Sequence, residues 1–301
     1  MAGSAVTRLA AGLLGLAALP SFAGDPAPYG YLQIDNDVLF HTDRWYTSGV
    51  RAALVTPRAG YELEWGVLQE IYTPEAKRYN PIDRPPAARL LGSLARHDRD
   101  ESSWRTIEVD VGVAGPSALG RQTQELIHRL IRGPHEPWEQ QRDDELDAQL
   151  AVAQTLTLPF LRTDWERFKT NFGAVAGTEL GFAHAGLEWR VGRGSAATIS
   201  SPALRFVATP PRAVSPVTSG WSAFVAADVR GVWRNRLLDR SADYEYLGTI
   251  ERKSSVTRAS TGGAWVSPWA TVTLAAIYDT REFVGQRRGQ AFGSLTIDFP
   301  F

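Results

Sequence analysis

The sequence predicts an all-β chain: a twelve-stranded antiparallel transmembrane β-barrel with a short α-helix in an extracellular loop. Three observations carry this expectation. Apolar and polar residues alternate with period two in a dozen segments, the last segment ends on an aromatic residue, and the chain opens with the pattern of an export signal but holds no other long apolar run.

The opening comes first. Arg8 gives a positive start, Leu9 to Leu19 form a short apolar run, and Ser21-Phe22-Ala23 has the small residues of a cleavage site. Residues 1–23 therefore read as a signal peptide and residues 24–301 as an outer-membrane β-barrel domain. The apolar run is shorter than the roughly 20 residues that a membrane-spanning helix needs. Taking 23 residues from 301 leaves 278, and loss of Arg8, the only charge among them, moves the formal net charge from −1 to −2. No basic field is left to hold nucleic acid. Cysteine is absent, which excludes disulfide frameworks, thiolate zinc sites and cysteine nucleophiles. A hydrophobic content of 44% with mean hydropathy −0.21 resembles a soluble protein. Barrel strands hide in such a composition because their lipid-facing and lumen-facing residues alternate.

The final segment, QAFGSLTIDFPF, puts Leu295, Ile297, Phe299 and Phe301 on one face and Ser294, Thr296 and Asp298 on the other. Its terminal aromatic resembles the last strand by which outer-membrane barrels are recognised for assembly. Similar alternation runs through Tyr29 to Phe40, Thr47 to Thr56, Tyr61 to Tyr72, Arg89 to Arg96, Trp104 to Val113 and Glu145 to Leu158. It continues through Phe168 to Leu180, Phe182 to Val191, Trp221 to Asn235, Ser255 to Val266, Ala270 to Thr280 and Gln290 to Phe301. An even number of antiparallel strands can close without an edge, as hydrocarbon requires. Trp45, Trp65, Trp165, Trp221 and Trp269 lie near strand ends, where aromatic girdles are expected.

One segment departs from the β rhythm. After Gly115-Pro116, Ser117 reads as an N-cap and ALGRQTQELIHRLIR follows, with Leu119, Leu126, Ile127, Leu130 and Ile131 apolar before Gly133-Pro134. The pattern predicts a helix of about fifteen residues in a surface loop, its apolar stripe against the wall or rim. Gln124 and His128 are spaced i, i+4 and share a helical face. Asp35, Asn36 and Asp37 are hard oxygen donors at a strand end, of the kind calcium takes. In a regular strand Asn36 and Asp37 point to opposite faces, so both can reach one ion only where the strand ends or bulges. Read alone, these clusters are equally a turn and a solvated helix surface.

The ordered stretches DNDVLFHTDRWYTSGVR, GVLQEIYTPEAKRYNPIDRPPA, VDVGVAGPSALGRQTQELIH, WEQQRDDELDAQLAV, RNRLLDR and YDTREFVGQ together resemble the outer-membrane lipid A 3′-O-deacylase family across nearly the whole mature chain. The resemblance implies a twelve-stranded barrel in the outer membrane with an active site between wall and loop helix. It implies calcium-dependent hydrolysis of an ester-linked acyloxyacyl chain of lipid A, with Ca2+ polarising the carbonyl and a histidine activating water. Carried over residue by residue, His128 matches the general base and Gln124 its companion. Asn36 and Asp37 match the pair at the metal, Thr47 matches a threonine opposite them, and Arg84 matches a basic position for a substrate phosphate or oxyanion. The implied partners are lipopolysaccharide and outer-membrane lipids, and the implied state is a monomer. The chain departs from the family pattern at Pro85-Pro86-Ala87-Ala88-Arg89, a change expected to reshape the acyl groove.

His41, His97, His135 and His184 read as solvated or packing residues. Arg121, Arg129, Arg132 and Arg142 surround the helix and could meet lipid phosphates. No G-x-S-x-G elbow, HExxH zinc motif or glycine-rich phosphate loop is present. The alternatives left open are an outer-membrane phospholipase, a non-catalytic pore or structural barrel, and a periplasmic β-sandwich.

Overall fold

Each of the twelve alternating segments forms a strand. A computed structural model describes residues 27–40, 42–75, 83–100, 102–131, 138–159, 163–194 and 218–300. The expected signal peptide and Phe301 lie outside them. The strands are β1 (Tyr29–Asn36), β2 (Trp45–Arg58), β3 (Tyr61–Thr73), β4 (Ala87–Arg99), β5 (Ser103–Ala114) and β6 (Glu145–Thr157), followed by β7 (Glu166–Gly177), β8 (Leu180–Gly192), β9 (Gly220–Asn235), β10 (Ser255–Val266), β11 (Thr271–Asp279) and β12 (Gln290–Pro300). Every neighbour in sequence is an antiparallel neighbour in space, and β12 returns to β1 with Tyr29 opposite Pro300 and Asn36 opposite Gly293. The barrel is closed, so no strand edge meets lipid.

Strand β5 shows why the alternating sequence takes this form. Thr106, Glu108 and Asp110 are buried in the lumen, while Ile107, Val109 and Val111 are exposed on the outer wall. No helix among the described residues is long and apolar enough to cross a membrane. The crossing is made by strands. Inside, charged side chains line the lumen in pairs: Arg51 contacts Glu64 at 2.7 Å and Glu108 at 2.9 Å, Arg89 contacts Asp147 at 2.9 Å, and His184 contacts Asp228 at 2.9 Å. Such charges are tolerated away from water because each has a partner.

The two ends differ. One carries the chain termini and the tight β2–β3 and β4–β5 turns; Trp65, Trp165, Trp221 and Trp269 are exposed near it, as a girdle requires. Trp45 does not belong to the girdle. It has φ +57°, is buried against Leu238 and Phe283, and donates its indole N–H to Asp83. The opposite end carries the β1–β2, β3–β4, β5–β6 and β9–β10 connections, each longer than the β2–β3 and β4–β5 turns, as at the cell-surface end of such a barrel, and the short β7–β8 turn; the long β8–β9 connection, between Gly192 and Gly220, is at the first end.

The helix α1 spans Gly120–Ile131, in the β5–β6 connection. Ser117 is not its N-cap. Pro116–Ala118 form a separate 3-10 turn, Leu119 takes a left-handed φ of 61°, and Ser117 donates to Asp144 instead. Of the expected apolar stripe, Leu119 and Ile127 are half-buried and Leu126 is turned out. Leu126 is 59% exposed, whereas Ala118 and Trp138 pack with Ile71 and Ala88, and Gly120 lies directly over Ala88. Ile71 shares the outer face of β3 with exposed Trp65, so this loop is seated on the outside of the wall.

Candidate active site on the outer wall

Strand β1 ends at Asn36 because Asn36 Oδ1 accepts the backbone N–H of Val38 at 2.7 Å, a local turn that competes with the ladder. Asp37 then becomes the hub of the β1–β2 loop. Its Oδ2 accepts from Thr42 Oγ1 and from the Arg44 N–H, both at 2.9 Å, and its own N–H donates to the Thr47 carbonyl at 3.3 Å. Thr47 is the extra residue of a bulge between Tyr46 and Ser48, and its hydroxyl lies 2.6 Å from that of Thr73 on β3. A strand end and a bulge thus lie side by side: Asp37 is joined to Thr47 through the backbone, while the side chains of Asn36 and Thr47 engage Val38 N–H and the Thr73 hydroxyl.

From the other side, α1 presents Gln124 and His128 one turn apart to the same loop. Gln124 Nε2 donates to Asp43 Oδ1 at 3.4 Å, and His128 Nε2 lies 3.4 Å from Asp43 Oδ2. Buried Gln124 is fixed in turn by the Trp138 indole N–H, which donates to its Oε1 at 2.9 Å. Asp43 is the residue that sequence reasoning passed over. It adjoins Arg44, whose backbone holds Asp37, so the helix pair and the Asn-Asp pair meet through two consecutive loop residues. Trp138 was missed as well.

Arg84 does not join this group. Its guanidinium is buried over the Tyr72 ring at 4.3 Å, donates to the Leu237 carbonyl at 3.2 Å and pairs with Glu282 at 3.5 Å. Tyr72 belongs to a cluster with Leu180, Phe224 and Phe292 in the lumen, so Arg84 faces inward while α1 lies outside the wall. His97 and His184 are lumen residues paired with Glu64 and Asp228. His41, His135 and Arg132 lie outside the described residues.

The residue types at the β1 end suit a hard cation, offering a carboxylate, a side-chain amide and a hydroxyl, and these oxygens are engaged here by Thr42, Arg44, Val38 and Thr73. Among the described residues no group of three or more His, Cys, Asp and Glu forms a cage. A calcium ion here would take one carboxylate and fill its shell with neutral oxygens, water and substrate. The Pro85–Arg89 departure falls under the helix, where Ala88 makes room for Gly120 and Trp138. It shapes the seat of α1.

The family model described as Outer membrane protein LpxR matches residues 9–301. No curated protein matches the chain. Among solved structures the chain is similar to LpxR from Salmonella typhimurium, with 18% identity, 91% of this chain and 100% of that chain covered, and a TM-score of 0.79. It is also similar to the β domain of the Bordetella autotransporter BrkA, with 9% identity, 91% and 99% covered, and a TM-score of 0.44. A channel for monoaromatic hydrocarbons, CymD, aligns with 11% identity, 92% and 89% covered, and a TM-score of 0.40. With a family model spanning nearly its whole length, the chain belongs to the LpxR family of outer-membrane proteins.

Proposed function

We propose that this barrel is a calcium-dependent lipid A 3′-O-deacylase, hydrolysing an ester-linked acyloxyacyl chain in the outer leaflet. The observation that carries the reading is the contact of His128 with Asp43 on the outer side of the wall, one residue before Arg44, whose N–H donates to Asp37.

His128 is the general base. With Nε2 turned to Asp43, Nδ1 is the nitrogen that takes the proton of an attacking water. Asp43 orients the ring and stabilises the imidazolium as it forms, and Gln124 holds Asp43 from the other oxygen. Asp37, Asn36 and Thr47 would hold Ca2+, which when bound polarises the ester carbonyl and stabilises negative charge on its oxygen. No covalent intermediate is required. Arg84, from inside the rim, supports the loop behind the site. The protein works as a single barrel on lipopolysaccharide.

Mass analysis of lipid A and phospholipids from cells expressing the protein, with and without a calcium chelator, tests the reading. Lipid A lacking one acyloxyacyl chain, formed only without chelator and not by His128→Ala, is the expected result. Altered phospholipid with intact lipid A overturns the substrate assignment, and turnover that survives chelation overturns the metal.

A further inference from the structure

Next to Asp37 the β1–β2 loop forms a 3-10 turn, Val38–Phe40, whose three residues are all apolar and all outside the protein core: Val38 is 50% exposed, Leu39 69% and Phe40 41%. The turn is rigidly built. Val38 N–H donates to Asn36 Oδ1 at 2.7 Å and Phe40 N–H to the Asp37 carbonyl at 2.9 Å, so its position is that of Asp37 itself.

The turn also has a seat on the barrel. A Cβ built on Gly293 would overlap Leu39 Cδ1, so Leu39 occupies the space that a side chain at 293 would fill. Along β12, Gly293 shares a face with Leu295, Ile297 and exposed Phe299, while Ser294, Thr296 and Asp298 are buried in the lumen. The β1 neighbours across this face are Ile34, opposite Leu295, and Leu32, opposite Ile297, both exposed. Leu39 therefore extends the lipid-facing strip past the end of β1, alongside Gly293 of β12 and up to the residue that anchors the candidate metal site.

We propose that the Val38–Phe40 turn is a hydrocarbon-binding site: a wedge that lies among the acyl chains of outer-leaflet lipid and holds one beside Asp37. The inference rests on the barrel's place in the membrane and on the continuity of this strip with its wall. It does not depend on the deacylase reading. In water, three adjacent apolar side chains at this exposure would be left uncovered; in the bilayer, acyl chains cover them as they cover Ile34.

The sequence has no cysteine, so Leu39→Cys gives one site for a nitroxide label in the full chain. The labelled protein is reconstituted in phosphatidylcholine vesicles and compared with Leu150→Cys, exposed on the mid-wall, and Ser102→Cys, exposed in the β4–β5 turn. The label at 39 is expected to behave like the one at 150, with relaxation enhanced several-fold more by oxygen than by a water-soluble nickel chelate. A pattern like that of position 102 overturns the proposal. Dipolar broadening that disappears on dilution with unlabelled protein also overturns it, because the occupant is then a second copy. Val38→Cys carries the same comparison should the label at 39 disturb the turn. Because none of these outcomes reads turnover, failure of the deacylase assay leaves the test intact, and the reverse also holds.

Discussion

At the scale of single residues, the site is defined by which atoms a side chain can reach, and His128 reaches a carboxylate. His128→Ala is expected to lower turnover by about 10²–10⁴-fold, the usual worth of a positioned base, with the barrel's heat-modifiable gel mobility unchanged. Asp43 acts through His128, so Asp43→Asn should lower kcat far more than it alters KM, while Asp43→Glu recovers part of the loss; an unchanged kcat in Asp43→Asn would remove it from the site. Asp37→Asn is expected to raise the calcium concentration needed for half-maximal activity, measured by titration from a chelated sample. That His128 and Gln124 share a helical face was legible in the sequence, because i, i+4 spacing is a property of the helix alone; their roles came from the family resemblance. Asp43 was not legible there, since its role arises when a loop meets a helix residue 81 positions away. Arg84 shows the converse: a motif gave the residue, but the wall between Tyr72 and α1 decided which way it faces.

At the scale of elements, α1 is held by small residues below and by a charged clamp at its return. Gly120→Leu is expected to displace the helix, because a Cβ there overlaps Ala88 and Trp138. Overpacking of this kind costs about 1–3 kcal/mol, and loss of activity in a barrel that still folds is the outcome to look for. Further along the loop, Arg142 pairs with Glu179 at 2.6 Å and Arg236 with Glu145 at 2.6 Å, tying the helix loop to the β7–β8 turn and the β9–β10 connection. Burial, the larger effect, raises the Glu179 carboxyl above its ordinary range although Arg142 pulls the other way. A raised carboxyl contributes stability that is full below its unfolded value and is lost as pH rises through its folded value. The stability of the native protein relative to Glu179→Gln should therefore fall as pH rises above about 4, the ordinary glutamate value, as thermal unfolding in detergent would show. The helix itself was legible from its pattern. The closest contacts of its docking face were not, because they are made by Gly120 over Ala88 and by Gln124 under Trp138, a glycine and an amide that an apolar pattern does not register.

At the scale of the molecule, the alternation in twelve segments was enough to give strand number and closure, since period two is imposed by lipid on one side and a polar lumen on the other. What alternation does not encode is how full that lumen is. Arg51 on β2 reaches Glu108 on β5, Arg89 on β4 reaches Asp147 on β6, and Arg258 and His184 pair with carboxylates on neighbouring strands, so reconstitution in a planar bilayer is expected to give no steady conductance, and an open channel would favour a transport role instead. The helix seat outside the wall has one more consequence. On the deacylase reading, a catalyst seated on the outside of the wall works in two dimensions: its encounters with substrate are counted per unit of membrane area. Diluting the substrate lipid with inert lipid should slow turnover even when the amount per litre stays fixed, and stirring the surrounding water should change nothing.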